Sequence, residues 1–304
     1  MDGVLSIAFL LFMLIVLPAV FIFVLWRAAF KSKLEWGLEA GSSILLVVWL
    51  FQSANWSWIG IWARYIWMVL LAVALFISWI KIRTLPLKVK YTGNQKFSIA
   101  IHGFLILVFG YYNVMTITSY STKEDGVDLV FPIQEGAYYV GHGGNHRMMN
   151  YHQDYPPQKY ALDILGLNGL GTRAKGLLPT NLDQYAIYGD RLVSPCNGTV
   201  VETQDGLIDM TPPEMDSDQP EGNHVSLICE QHPATVLLAH MQQGSVAVKE
   251  GDIVKTGQYL GKVGNSGNTS EPHLHIHAEM EGVGVPIRFD GRFLVRNNVI
   301  KAGK

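Results

Sequence analysis

The placement of apolar residues constrains this 304-residue chain more than any other feature. Within residues 1–120, four long apolar runs, centred on 5–26, 40–56, 62–80 and 98–117, are separated by short polar stretches. Each approaches the roughly 20 residues that cross a bilayer as a helix. No polar face at helical period interrupts them, which argues against buried helices of a soluble protein. The first run begins Met-Asp-Gly, with no basic segment before it and no small-residue cleavage site, so it reads as a retained span rather than a cleaved signal. The second is strongly apolar only over 44–51, and by length alone it fits an interfacial segment as well as a span.

Charge separates those two readings. Short loops rich in Lys and Arg stay in the cytoplasm. Arg27, Lys31 and Lys33 follow the first run, and Lys81, Arg83, Lys88, Lys90 and Lys96 separate the third from the fourth. The loop between the second and third holds only Arg64 among Trp56, Trp58 and Trp62, tryptophans that suit an outer interface. Two basic loops on one side require an even number of crossings between them. The second run therefore counts as a span, and both termini fall outside. His102, the lone histidine here, reads as an interfacial or packing residue rather than a ligand.

The near-neutral net charge of −2 conceals a split: nine basic and three acidic residues precede position 121, and 14 basic and 22 acidic residues follow. Neither half offers a basic surface for nucleic acid. From about residue 121 the pattern turns to short alternating stretches broken by Gly, Pro, Asn and Asp, as in an all-β domain. The expected division is thus a four-helix transmembrane region, 1–120, and an all-β antiparallel domain outside the membrane, 121–304. Residues 203–223 lack periodicity and read as a long solvated loop between two strands. The only cysteines, Cys196 and Cys229, fall near the outer ends of one expected hairpin, either bridged or as separate buried thiols.

Nine of ten histidines lie in this second part, three of them in Pro272-His273-Leu274-His275-Ile276-His277. On a strand, 273, 275 and 277 share one face while Leu274 and Ile276 enter the core. Three imidazoles at period two make a metal or acid–base surface rather than a set of packed core groups. A catalytic zinc takes about three protein ligands and a water, so other segments must converge on this strand. Two qualify: the stretch with His152 and Asp163, and Leu237-Leu238-Ala239-His240-Met241. The glycine-rich string from Gly261 to Gly267 lacks the Gly-Lys-Ser/Thr that phosphate binding needs.

These segments resemble the lysostaphin-type, LytM-like zinc metallopeptidases that cleave bacterial cell-wall peptides on a duplicated hybrid motif fold. Residues 263–275, from Val263-Gly264-Asn265-Ser266-Gly267 to Pro272-His273-Leu274-His275, are similar to the family's glycine-rich turn and His-x-His strand. Ala239-His240-Met241 is similar to its "AHL" element, residues 248–258 to its connecting hairpin, and residues 194–200 to an earlier strand entry. The likeness covers about 140–290 and leaves the apolar part untouched. It implies one zinc ion on His152, Asp163 and His275, His240 and His273 as the catalytic pair, and a supporting role for His277. The family's first two ligands stand in a close His-x-x-x-Asp, whereas ten residues intervene here, with Pro156-Pro157 suggesting an inserted loop. His142, His146 and Asp154 are rival ligands to His152.

The function implied is a zinc endopeptidase held on the outer face of a bacterial plasma membrane, acting on peptidoglycan peptides, with the bilayer as its other partner. The competing reading is a catalytically inactive LytM-like module that controls other wall hydrolases; its mark would be lost site residues, and all five are present. Residues 250–258 also resemble half-motifs of biotinyl, lipoyl and phosphocarrier domains, which have no need of Asp163 together with His273 and His275.

Overall fold

The computed structural model describes residues 2–303, so Met1 and Lys304, the outer limits of the two expected regions, lie outside the described residues. The chain divides into two compact units, Met1–Trp56 with Trp62–Ile117, and Ser57–Ile61 with Thr118–Lys304.

The first unit is helical: α1 (Asp2–Leu11), a π-helical turn Phe12–Val16, α2 (Leu17–Arg27), α3 (Lys33–Ser53), α4 (Ala63–Ile82) and α5 (Gly93–Thr118). Four helical stretches, Leu5–Arg27, Lys33–Ser53, Ala63–Ile82 and Gly93–Thr118, are long and apolar enough to cross a membrane by length and composition. Pro18 has no N–H to give the carbonyl of Leu14, four residues earlier. That carbonyl accepts instead from Trp67 Nε1 at 3.0 Å. α3 begins well before its apolar core because Ser32 caps it, its Oγ accepting from the Glu35 N–H at 3.2 Å. Two polar residues of its first half share one partner: Glu39 meets His102 Nε2 at 2.7 Å and Ser42 Oγ meets His102 Nδ1 at 2.9 Å. Trp36 Nε1 donates to Ser78 Oγ at 2.9 Å. His102 thus has packed polar partners, and the short apolar run belongs to a helix of 21 residues.

The second unit carries β1 (Val127–Leu129), β2 (Gly136–His142), β3 (Leu162–Gly166), β4 (Arg191–Val193), β5 (Gly198–Gln204), β6 (Asn223–Cys229), β7 (Thr235–Met241), β8 (Ile253–Val254), β9 (Tyr259–Lys262), β10 (Leu274–Met280), β11 (Val283–Val285), β12 (Ile287–Phe289), β13 (Arg292–Phe293) and β14 (Val299–Ala302). The main sheet runs β14-β2-β3-β10-β7-β6-β5-β8, with β11 beside β10. Its pairs are antiparallel; the exception in this unit is the short parallel pair of β1 and β12 in a separate three-stranded sheet. β10 is central. Leu274, Ile276 and Ala278 enter a core with Leu162, Ile164, Val225, Leu227, Val236 and Leu238.

Cys196 and Cys229 are bridged, 5.8 Å apart at Cα. The bond closes the open end of the β5–β6 hairpin, where Gly198 pairs with Cys229.

The stretch between β5 and β6 holds no helix or strand and is mostly exposed, the solvated loop that its composition suggests, yet its backbone is tied down. Met210 and Asp216 N–H groups donate to the carbonyls of Asn265 and Gly267, both at 2.9 Å. Asp209 Oδ1 accepts from the Asn265 N–H at 2.7 Å. The loop is therefore laced to the glycine-rich turn, and the two chains cross where neither has a side chain. Gly222 (φ +60°) and Gly267 (φ +88°) face each other, and a Cβ on Gly267 would stand 2.5 Å from the Gly222 nitrogen. We expect Gly267→Ala to destabilise the domain by on the order of 2 kcal/mol, through both the left-handed φ and the clash. Denaturant titration measures this; an unchanged midpoint would contradict the crossing.

Candidate metal centre

Sheet register assembles the site. β10 lies between β3 and β7, with His275 opposite Asp163 on one side and Ala239 on the other. The strand begins at Leu274, so His273 stands just ahead of it, and His240 comes one residue after Ala239. His240 adopts φ +60°, a left-handed conformation uncommon for a residue with a side chain. It is held there by hydrogen bonds at both backbone groups, its N–H to Glu221 O at 3.0 Å and its carbonyl from Gly264 N–H at 2.9 Å. Over-determined strain of this kind clusters at working sites.

His152 reaches the same point from a single turn, Tyr151–Asp154. The ten intervening residues do not displace it, because Asn150 ties both ends of the insertion together. Its Oδ1 accepts from the His152 N–H at 3.2 Å while its Nδ2 donates to the carbonyl of Ala161 at 3.0 Å. Gln153 Nε2 adds bonds to Gly144 O at 3.0 Å and Lys159 O at 2.7 Å. We expect Asn150→Ala to weaken metal binding about 10- to 100-fold, the usual cost of losing a group that orients a ligand. Isothermal titration of the full chain with zinc checks it; unaltered affinity would show that the insertion needs no such tie.

His152 Nε2 is 3.1 Å and His275 Nδ1 3.0 Å from Asp163 Oδ1. Ligand atoms of His152, Asp163 and His275 lie within 4.8 Å of one another, as do those of His240, His273 and His275. The donor set suits zinc: two imidazoles and a carboxylate, at separations near the roughly 3.3 Å edge of a tetrahedron with bonds of about 2.0 Å. Burial pushes the Asp163 carboxyl up, but the charges and hydrogen bonds of His152 and His273 outweigh it and hold the group well below the usual carboxylate range. Burial and the neighbouring His273 and His275 hold His240 well below the usual imidazole value. For His273 burial pulls downward, yet Asp163 prevails and raises it.

Both flanking imidazoles are aimed by main-chain carbonyls. His240 Nδ1 lies 2.9 Å from Ser266 O and His273 Nδ1 2.9 Å from Glu271 O. A carbonyl only accepts, so Nδ1 carries the proton in each ring and Nε2 is left free to take one.

The rivals have other partners, although His142 stands opposite Asp163 in register and 6.2 Å ring to ring from His152. His142 Nδ1 accepts from Arg296 Nη2 at 2.8 Å, and burial lowers that imidazole to about 3. His146 Nδ1 accepts from the Met148 N–H, and Asp154 pairs with Arg147 at 3.5 Å on the surface. His277 Nδ1 stands 3.0 Å from His275 Nε2, where it accepts the proton that orients the ring. Three contributors carry no sequence signal: Tyr151, whose phenol is pushed up by burial and by Asp163, and the ion pair of Arg173 with Glu271, 98 residues apart. An open groove of about 380 Å³ leads to the histidines, walled by Tyr151, Tyr155, Gln158, Pro220, Glu221 and Asn268.

Residues 181–287 match Peptidase family M23. The matched stretch contains His240, His273 and His275 and does not reach His152 and Asp163. The chain is 27% identical over 160 residues to the peptidoglycan DD-endopeptidase ShyA of Vibrio cholerae, across 49% of this chain and 31% of that protein. It thus spans about a third of that relative's length. Among solved structures it is similar to a zinc-containing peptidase from Vibrio cholerae (19% identity, TM-score 0.30, 60% of this chain and 40% of that one). It is also similar to the catalytic domain of lysostaphin from Staphylococcus simulans (19%, TM-score 0.28, 52% and 87%). The family match covers the glycine-rich turn, the His-x-His strand and the strand ending in His240, so over residues 181–287 the chain is similar to peptidase family M23.

Proposed function

We propose that this chain is a membrane-anchored zinc endopeptidase that hydrolyses peptide bonds of peptidoglycan on the outer face of a bacterial plasma membrane. The observation that carries this reading is the convergence of His152, Asp163 and His275 on one point, with His240 and His273 beside it at the head of an open groove. His152, Asp163 and His275 would hold the ion. Zinc bound there would polarise the scissile carbonyl and acidify the attacking water. The chain's own residues do the rest. An Nε2 of the His240–His273 pair accepts the water's proton and passes it to the departing amine as the C–N bond breaks. The other ring, a donor when protonated, steadies the charge that grows on the carbonyl oxygen. The groove is open to solvent rather than enclosed, as a peptide strand requires.

Four apolar helices would supply the anchor, and the basic residues at 27–33 and 81–96 support an inside position for those two segments. Both termini and the β domain then lie outside, where a disulfide such as Cys196–Cys229 persists. The name of the ShyA relative supports peptidoglycan as substrate, and intact site residues disfavour a purely regulatory module. The test is a muropeptide profile of purified peptidoglycan treated with the full chain in detergent. New peptide termini with glycan strands intact are expected; an unchanged profile from every wall type, with zinc bound, would favour the regulatory module.

A further inference from the structure

The segment Ser57–Ile61 stands in sequence between α3 and α4, yet it packs as part of the β unit. It is woven in at the backbone: the Arg173 N–H donates to Ser57 O and the Ile61 N–H to Gly171 O, both at 3.0 Å. Ile61 is buried against Tyr139 and Leu165. Trp58 meets Arg173 face on, the guanidinium carbon 3.4 Å from the ring centroid.

Arg173 is 1% exposed. Its Nε donates to Glu271 at 2.6 and 2.8 Å to the two carboxylate oxygens, and its Nη2 donates to Leu177 O at 2.8 Å. Nη1 has no hydrogen-bond partner, so one flank of a buried cation depends on the indole face for its stabilisation. The carbonyl of the same Glu271 receives the His273 Nδ1 proton at 2.9 Å, and Thr269 Oγ1 donates to it at 2.8 Å. Pro272, the one residue between, has its φ locked. A displacement of the Glu271 side chain is therefore passed to the group that sets the tautomer and aim of His273.

We propose that Trp58 and Arg173 are positioning residues for His273. The segment Ser57–Ile61 would then complete the peptidase site. The role in turnover rests on the peptidase reading; the contact chain does not.

The test uses the full chain in nanodiscs, with Trp58→Ala, Trp58→Phe and Glu271→Gln. Two readouts separate this inference from the peptidase reading. The first is the imidazole 15N spectrum of metal-free protein, with the His273 signal identified by its loss in His273→Gln. Wild type should show one sharp His273 signal, Trp58→Ala and Glu271→Gln a shifted or broadened one, and Trp58→Phe, which keeps an aromatic face, the wild-type signal. The second is kinetic: a kcat about 10- to 100-fold lower in Trp58→Ala and Glu271→Gln, with KM and zinc content within twofold and recovery in Trp58→Phe. Should Trp58→Ala fail to fold, Glu271→Gln and Trp58→Phe decide. An unmoved His273 signal in Trp58→Ala or Glu271→Gln would overturn the proposal, as would loss of kcat only in step with lost zinc or lost folding. Inactive wild-type protein would count against the peptidase reading alone, because the spectrum still reports on His273.

Discussion

His275→Ala should abolish stoichiometric zinc and turnover together, whereas His273→Ala should keep the ion and lose about 10²- to 10⁴-fold in kcat. The distinction follows from geometry. His275 Nδ1 and His152 Nε2 both lie within 3.1 Å of Asp163 Oδ1, while His273 Nε2 stands 3.6 Å away and its ring is tethered through Nδ1 to Glu271. Removing His275 takes one donor of three and leaves the Asp163 carboxylate buried with fewer partners. Removing His273 leaves all three donors in place and deletes only a proton acceptor. Metal content by elemental analysis beside kcat and KM checks both; equal zinc loss in the two variants would overturn this division of roles.

The second large effect concerns stability. Replacing Cys196 and Cys229 together with serine should cost about 3 to 4 kcal/mol, the loop-closure value for the 33 residues that the bond spans. For a domain of this size that lowers the melting temperature by roughly 10 °C. Calorimetry on the full chain, with and without reductant, measures it. The site histidines come from other strands, so zinc affinity should change little at temperatures where the variant stays folded. An unaltered melting curve would mean that the hairpin end is held equally well by its strand pairing.

Much of this was legible from residue order, and the parts that were not share a cause. Alternation across His273, His275 and His277 correctly placed Leu274 and Ile276 in the core, because a central strand with two distinct faces writes its period into the sequence. The four apolar runs correspond to four long helices for a similar reason. The start of α3 at Lys33 was hidden: Glu39 and Ser42 lie before the apolar core, and only the fold pairs both with His102, some 60 positions away. The loop between β5 and β6 is solvated, as its composition suggests, but its backbone bonds to 265–267 leave no trace in composition. Resemblance singled out His152 across a long insertion; Asn150, which holds the insertion shut, had no pattern to announce it. Arg173, Trp58 and Glu271 sit in three different segments, and only the fold joins them.

The central claim is that these five residues make a metal-dependent peptidase. The most direct measurement is the rate at which the full chain, in detergent, releases new amino groups from purified peptidoglycan, with and without chelator, beside His273→Ala. The account predicts release that chelator stops, that added zinc restores, and that the variant lacks while still binding the ion. Release that persists in chelator, or that His273→Ala matches, would contradict it.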